Sequence, residues 1–440
     1  MDLVVSSTEA SLIEQLEFKL PPNTSFAQER RLVSAQPSGA SQFSPDGVRV
    51  MRFVITGGDG SWLDPSTLRL AMKVRNLHAT DTLFLASGPW CLFDQVRLLI
   101  GGVEVERIGP YYGRQHHLFR HLLMSNAWNI ESANEDGMFY DATVYPQVSP
   151  RGIAAGQYLS FNLTPLLGIL NANKYLPLAY MGGMQLEFTL GNAAEALAAA
   201  SDSRTYQIEQ AQMRMSTIRL DSALNNSFSQ LLLQGRALQI PIKTLHLQQQ
   251  ALPAGNTEVQ VSLVRALSRL AGLLITFVGP ATYTSPTGAQ LFTDPASTHL
   301  HTSFLNPTEY IAAGAANGSE EALLEWQVQI GPKNYPEAQP ASNMAETFSL
   351  LRQATGIYDE SLRTTSITTR GFGLNQFCIA APLQVVVGQP FSSVNTRSGD
   401  LLTVRVNKLD GTDRQAGRVF VHMIAETIIE LKESGVVVLD

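Results

Sequence analysis

Four signatures recur in the same order in the two halves of the 440-residue chain. In the first half, the alternating run Val96, Leu98, Ile100 leads into a turn and then a helical pattern holding Phe119 and Leu122. In the second, Trp326, Val328 and Ile330 lead into Gly331-Pro332 and a helical pattern holding Phe348 and Leu351. The first two elements share an offset of about 230 positions, the kind of internal period that marks a duplicated unit. Further on, Leu186, Phe188 and Leu190 answer to Leu402, Val404 and Val406. A last apolar strand follows in each half, at Tyr206 and Ile208 and again at Val419 to Ile424. Alternating strands resemble one another in any β protein, so the weight lies in the shared order of strand, turn, short helix, long loop, strand, strand.

Most of the chain reads as strand. Leu68, Leu70, Met72 and Val74 alternate with Arg69, Lys73 and Arg75, a period-two pattern with one buried face. Gly101-Gly102, between Val96–Ile100 and Val103–Val105, supplies the positive φ of a tight hairpin. Helices are few. One carries Leu224, Phe228, Leu231 and Leu232, with Asp221 or Ser222 as cap and Gly235 as stop. Another runs from Tyr111 to Met124, and a third carries Met344, Phe348 and Leu351. The pattern implies an all-β chain of two tandem eight-stranded jelly rolls with a few short helices. The expected division is an N-terminal arm and entry to the first domain at 1–48, a first jelly roll at 49–236 and a second at 237–440. The stretch up to Pro45 lacks periodicity and is expected to order only against partners. Long polar loops, between Asn126 and Gly156 and between Gly279 and Ser319, are expected interaction surfaces.

Composition narrows the function. Charged residues make up 16% of the chain, against the roughly a quarter usual for globular domains, which suits a surface covered by neighbours. The net charge is −7, and the basic candidates Arg30-Arg31, Arg204, Arg214 and Arg219 form no run, so wrapping of nucleic acid is not expected. Two cysteines, Cys91 and Cys378, flanked by apolar residues, read as buried free thiols rather than a disulfide framework or metal set. No secretory signal or membrane-length apolar stretch is evident; Leu270 to Val278 reads as a buried strand, and the sequons at Asn23, Asn162, Asn225 and Asn317 as chance matches.

Candidate chemistry is thin. His116, His117 and His121 cluster on one helix, with His117 and His121 one turn apart; a zinc site also needs a third ligand and usually an acid or second-shell partner, and no Glu follows in the His-Glu-x-x-His manner, so helix-flank or interface packing is expected. As a hypothesis, the cluster tunes stability at mildly acidic pH, and unchanged melting between about pH 5 and 7.5 would rule this out. Gly57-Gly58-Asp59-Gly60 lacks the residues of a phosphate or calcium loop and reads as a turn. Glu320-Glu321 and Asp359-Glu360 read as solvated loop pairs. Catalytic, cofactor-binding and metal-binding residues are expected to be none, and the chain is not expected to be an enzyme.

Residues 92–125, LFDQVRLLIGGVEVERIGPYYGRQHHLFRHLLMS, resemble the major capsid proteins of Polinton-like viruses and Maverick/Polinton elements. Phe93-Asp94-Gln95-Val96, Leu99-Ile100-Gly101-Gly102, Tyr111-Tyr112 and Leu122-Leu123-Met124-Ser125 carry the likeness, and Leu63 to Asn76 looks like the family's preceding strand. The match spans residues 60–125; Gly88-Pro89-Trp90-Cys91 replaces an expected Asn, and Tyr-Tyr replaces Tyr-x-Tyr. Virophages, giant-virus relatives and tailless bacteriophages share that architecture. The resemblance implies a homotrimer whose six jelly rolls form a pseudo-hexagonal capsomer of an icosahedral DNA-virus shell. It implies loops forming outer towers, an arm facing inward, penton and minor capsid proteins as partners, and an internal membrane as an open question. The alternative is a receptor- or carbohydrate-binding jelly-roll protein of the virion, for which Phe139-Tyr140 is the aromatic candidate.

Overall fold

The computed structural model describes residues 27–58, 60–85, 88–124, 152–172, 174–197, 203–279, 300–308, 324–337, 339–358, 365–373, 375–386, 391–397, 401–410 and 415–439, with the backbone of Phe139–Asp141 and Gln147–Ser149. The tower loops expected at 126–156 and 279–319 therefore lie largely outside the described residues.

Among the described residues, eight main strands build the first unit: β1 (Ala27–Ala35), β2 (Val50–Ile55), β3 (Ser61–Asn76), β4 (Phe93–Ile100), β5 (Val103–Ile108), β6 (Tyr158–Leu163), β7 (Met184–Leu190) and β8 (Tyr206–Leu220), with the short Gln42–Phe43 also paired on β8. They form two antiparallel sheets in the orders β1-β8-β3-β6 and β2-β7-β4-β5, with Leu176–Pro177 completing the far edge of β3. The second unit repeats this with β9 (Leu238–Ala251), β10 (Glu258–Leu263), β11 (Leu270–Val278), β12 (Glu325–Ile330), β13 (Lys333–Tyr335), β14 (Ile379–Pro382), β15 (Leu402–Asn407) and β16 (Arg418–Lys432). Its sheets run β9-β16-β11-β14 and β10-β15-β12-β13. Adding eight to any strand number of the first unit gives its counterpart in the second. This is the jelly-roll order, twice in one chain, and the four signatures recurring in sequence fall on β4/β12, the following helix, β7/β15 and β8/β16. A last strand, β17 (Gly435–Leu439), pairs back on β16.

Local chemistry explains the elements. In β2 the burial alternates strictly, with Met51, Phe53 and Ile55 inward. Gly101 and Gly102 both have positive φ, +57° and +81°, as a two-residue turn between right-twisted strands requires. The inward residues of both sheets fill one apolar core that runs on from the first jelly roll into the second. Three helices stand out: α1 (Tyr112–His117), α2 (Ser222–Leu233) and α3 (Met344–Tyr358). The Asp221 carboxylate caps α2 by accepting from the Ala223 amide at 3.1 Å, and Gly235 (φ +76°) ends it, its amide donating to the Leu232 carbonyl. Phe228 of α2 packs on Trp62 at 4.8 Å between ring centroids.

The N-terminal expectation needs correction for Ala27–Ala35. This segment is β1, paired along β8 from Ala27↔Leu220 to Ala35↔Met213 with one register shift between Ala27 and Glu29. Eight of its nine residues are exposed, so main-chain pairing holds it and no hydrophobic alternation betrays it.

Candidate functional site

The densest constellation of buried polar groups lies where the two jelly rolls meet. Helix α1 follows β5 and continues as a wider π-helical turn, Leu118–Leu122. Tyr112, Arg114, Gln115 and His116 are buried on it together with Leu118, Phe119 and Leu122, so the segment is covered on all sides. The glycine at 113 is required by space: a Cβ there would lie 2.7 Å from the Cys91 Cα and 3.0 Å from the His301 Nδ1.

Arg114 crosses from the first jelly roll into the second. Its Nη1 donates to the carbonyls of Leu300 and Ser303, at 2.7 and 2.6 Å. Its Nη2 donates to the Thr276 hydroxyl at 3.0 Å and the Phe277 carbonyl at 3.3 Å. The guanidinium lies over Phe304 and Phe420, 4.2 and 4.6 Å from their ring centroids. Burial works against the charge and pulls its pKa down to about 9, still leaving it cationic at neutral pH. Around it, Tyr111 packs edge-on against Phe420 at 5.5 Å, and the Ser366 hydroxyl donates to the His121 and Leu122 carbonyls.

Of the three helix histidines, His117 reaches the second unit through Phe304, and His116 packs against Trp90 of the first. His116 stacks on Trp90 at 4.6 Å, His117 on Phe304 at 5.7 Å, and His121 lies 5.3 Å from His117 and 5.7 Å from His116. The second jelly roll adds His301 and His422, both buried. Among the described residues, no group of three or more His, Cys, Asp or Glu side chains is arranged to hold a metal ion.

A second contact lies at the end of β5. The Gly168 amide donates to both oxygens of the buried Glu106 carboxylate, at 2.8 and 3.0 Å. A Cβ on Gly168 would meet the Lys243 carbonyl of β9 at 1.9 Å, so the two units touch there through backbone. Burial raises the Glu106 pKa to about 8, against the pull of the Gly168 and Ile169 amides.

On the open face of the first jelly roll, a ladder of ion pairs crosses four strands. Glu187 of β7 joins Arg52 of β2 at 2.8 Å to Arg97 of β4 at 2.9 Å, and Arg97 reaches Glu104 of β5 at 2.7 Å. Exposed apolar side chains occur elsewhere: Val264 and Leu401 flank the Leu263↔Leu402 register, and Val385 and Phe391 lie after β14.

Other sequence candidates separate. Gly57, Gly58 and Gly60 lie between β2 and β3, while Asp59, Glu320-Glu321 and Asp359-Glu360 lie outside the described residues, as do the side chains of Phe139-Tyr140. Cys91 and Cys378 are buried free thiols, and burial pushes the Cys378 thiol far up. Arg30 pairs with Asp64. No helix among the described residues is long and apolar enough to cross a membrane.

No family model matches the sequence, and no curated protein does. Solved structures match over nearly the whole chain. PBCV-1 VP54, as fitted into a reconstruction of the virophage Sputnik, aligns with a TM-score of 0.62 at 12% identity, covering 96% of this chain and 99% of that one. The Faustovirus major capsid protein aligns with a TM-score of 0.61 at 8% identity, over 97% and 93%. The Sputnik virophage structure gives 0.54 at 11%, over 100% and 94%. What the chain shares with these capsid proteins, along almost all of its length and theirs, is the double-jelly-roll fold.

Proposed function

We propose that this protein is a structural major capsid protein that forms trimeric, pseudo-hexagonal capsomers of an icosahedral DNA-virus shell. The observation that carries this reading is the duplication itself: two jelly rolls of identical strand order, joined side by side through a buried junction. Three such chains supply six similar units, and a closed ring hides their edges. The exposed Val264, Val385, Phe391 and Leu401 support association, because large apolar side chains left at the surface gain from being covered by a neighbour. The low charged fraction points the same way.

On this reading the chain divides into jelly rolls at residues 236/237 and acts without catalysis. Its partners are its own copies, neighbouring capsomers, and penton and minor capsid proteins. It makes no sequence-specific contact with nucleic acid. It resides in the virion shell after synthesis and assembly in the host cytoplasm or nucleus, and its lineage lies near the Polinton-like viruses and virophages. Light scattering of the purified chain followed by negative-stain imaging tests this. A stable trimer with a hexagonal outline is expected; a chain that stays monomeric at high concentration overturns the proposal.

A further inference from the structure

The junction within the chain is made by a helix of one unit closing the outer face of a sheet in the other. Arg114 of α1 donates to the Thr276 hydroxyl of β11, and its guanidinium lies over Phe420 of β16. Phe119, on the turn that continues α1, meets His422 of β16 edge-on at 6.3 Å. Thr276 and Phe420 are register partners, and the next such pair on that side of the sheet is Leu274 and His422. The helix belongs to the first unit and covers the second.

Both halves of this contact have a counterpart in the chain, and among the described residues the counterparts do not meet. The sheet β1-β8-β3-β6 has the strand order of the covered sheet. In the single chain its outer face is polar and open: Arg75 pairs with Glu209 at 3.3 Å, and Tyr158, Ser160 and Arg214 are exposed. Helix α3 follows β13 as α1 follows β5. Its inner side is held by Thr347, whose hydroxyl accepts from the Trp326 indole at 3.1 Å, and by the buried Leu351. Its other side, with Glu346, Ser349, Arg352 and Gln353, is exposed, whereas α1 is buried from Tyr112 to His116.

We propose that the outer face of β1-β8-β3-β6 is the docking surface for the α3 side of a second copy of this chain, repeating between copies the contact that α1 makes within one. The inference rests on the reading of the chain as a ring-forming capsomer subunit, and it names the face and the segment that meet. The relation is head-to-tail: each copy offers a sheet to one neighbour and a helix to the other, and such a contact makes a ring when its rotation closes. Polarity fits the difference between the two contacts. α1 is tethered to its sheet and is free to be apolar, but α3 and its sheet stay in water until copies meet, as partners that fold first and associate later must. Charge fits as well. Lys73, Arg75 and Arg214 outnumber Glu209 on the sheet face, in a chain whose net charge is −7, so the face attracts the remainder of another copy.

The test uses the full chain as two variants, Ser160→Cys on the sheet and Ser349→Cys on the helix, co-expressed and also prepared singly; the native Cys91 and Cys378 are buried. Light scattering gives the assembled mass, a short bismaleimide is added, and covalent products are read by denaturing mass spectrometry. A trimer whose co-expressed form yields covalent dimers that neither variant yields alone is expected. A trimer without that product overturns the docking assignment and leaves the capsomer reading standing. Efficient linkage of Ser160→Cys to itself also overturns it, because two sheet faces then meet about a two-fold axis. So does a trimer whose sheet face instead binds a DNA duplex or anionic vesicles, with binding lost in Arg214→Glu. A chain that forms no trimer overturns both readings. Should either cysteine variant not fold, Arg214→Cys and Gln353→Cys take the same places.

Discussion

The two jelly rolls share a strand order but not a surface. In the first, the long strand β3 alternates, its core face carrying Leu68, Leu70, Met72 and Val74 and its other face Arg69, Lys73 and Arg75. In the second, the counterpart β11 is buried at all nine positions, Leu270 to Val278, and β16 is buried over most of its length. The difference is one of covering. Helix α1 and the Arg114 contact close over β11 and β16 from the first unit. The equivalent sheet of the first unit has no such cover from the second among the described residues, and there Lys73 lies over the Tyr158 ring at 4.6 Å. One topology thus serves as a sheet with one wet face or as a sheet enclosed on both sides, and only the residues at alternate positions decide which.

Exchanging those residues tests the comparison most severely. Leu274→Lys, which writes the first unit's pattern into the second, is expected to cost about 3–5 kcal/mol or abolish folding, since a buried unpaired charge has no partner there. A denaturant midpoint within error of wild type would show that β11 is not enclosed. Next comes Arg114→Met, which strips its acceptors in the second unit of their donor. A loss of about 3–5 kcal/mol is expected, with one calorimetric transition splitting into two. A single unsplit transition would mean the junction is held chiefly by its apolar contacts.

A smaller effect is expected at Glu106. Its folded pKa of about 8 lies above the usual carboxylate value, so the folded state holds a proton that the unfolded chain has released. Its contribution is complete at acid pH and is lost as pH rises towards 8, by about 1.4 kcal/mol per pH unit. Glu106→Gln should flatten stability between about pH 5 and 8. Parallel curves for variant and wild type would show that the carboxylate is solvated in the folded chain. Smallest of all, Lys73→Leu on the wet face should change stability by no more than about 0.5 kcal/mol. A large loss there would mean that this face, too, is covered.

The duplicated strands were legible because each carries its own periodicity. Leu186, Phe188 and Leu190 alternate whatever lies across from them, and Leu270 to Val278 announces a buried strand by its unbroken apolar run. The cap and stop of α2 were equally local. β1 was not legible, because Glu29, Arg30 and Arg31 face solvent and the strand exists only through pairing with β8. The junction was hidden for a different reason. Arg114 meets Thr276, Leu300 and Ser303 from far along the chain, and an arginine within a helix segment gives no local sign of that distance. The histidines were visible as a cluster, but His301 and His422, which complete it, lie on other elements.

The strand order carries a consequence for synthesis. In each unit the last of the eight strands lies between two earlier ones: β8 between β1 and β3, and β16 between β9 and β11. Neither sheet can zip up until that strand has left the ribosome. The first unit is therefore able to close once β8 is free, while α1 still waits for Phe420 and His422. At 5–20 residues per second that interval is roughly 10–40 s. For most of it the emerged β11 lacks its β16 partner and presents an apolar strand with an open edge, the period when a chaperone would do the most to keep the nascent chain from aggregating.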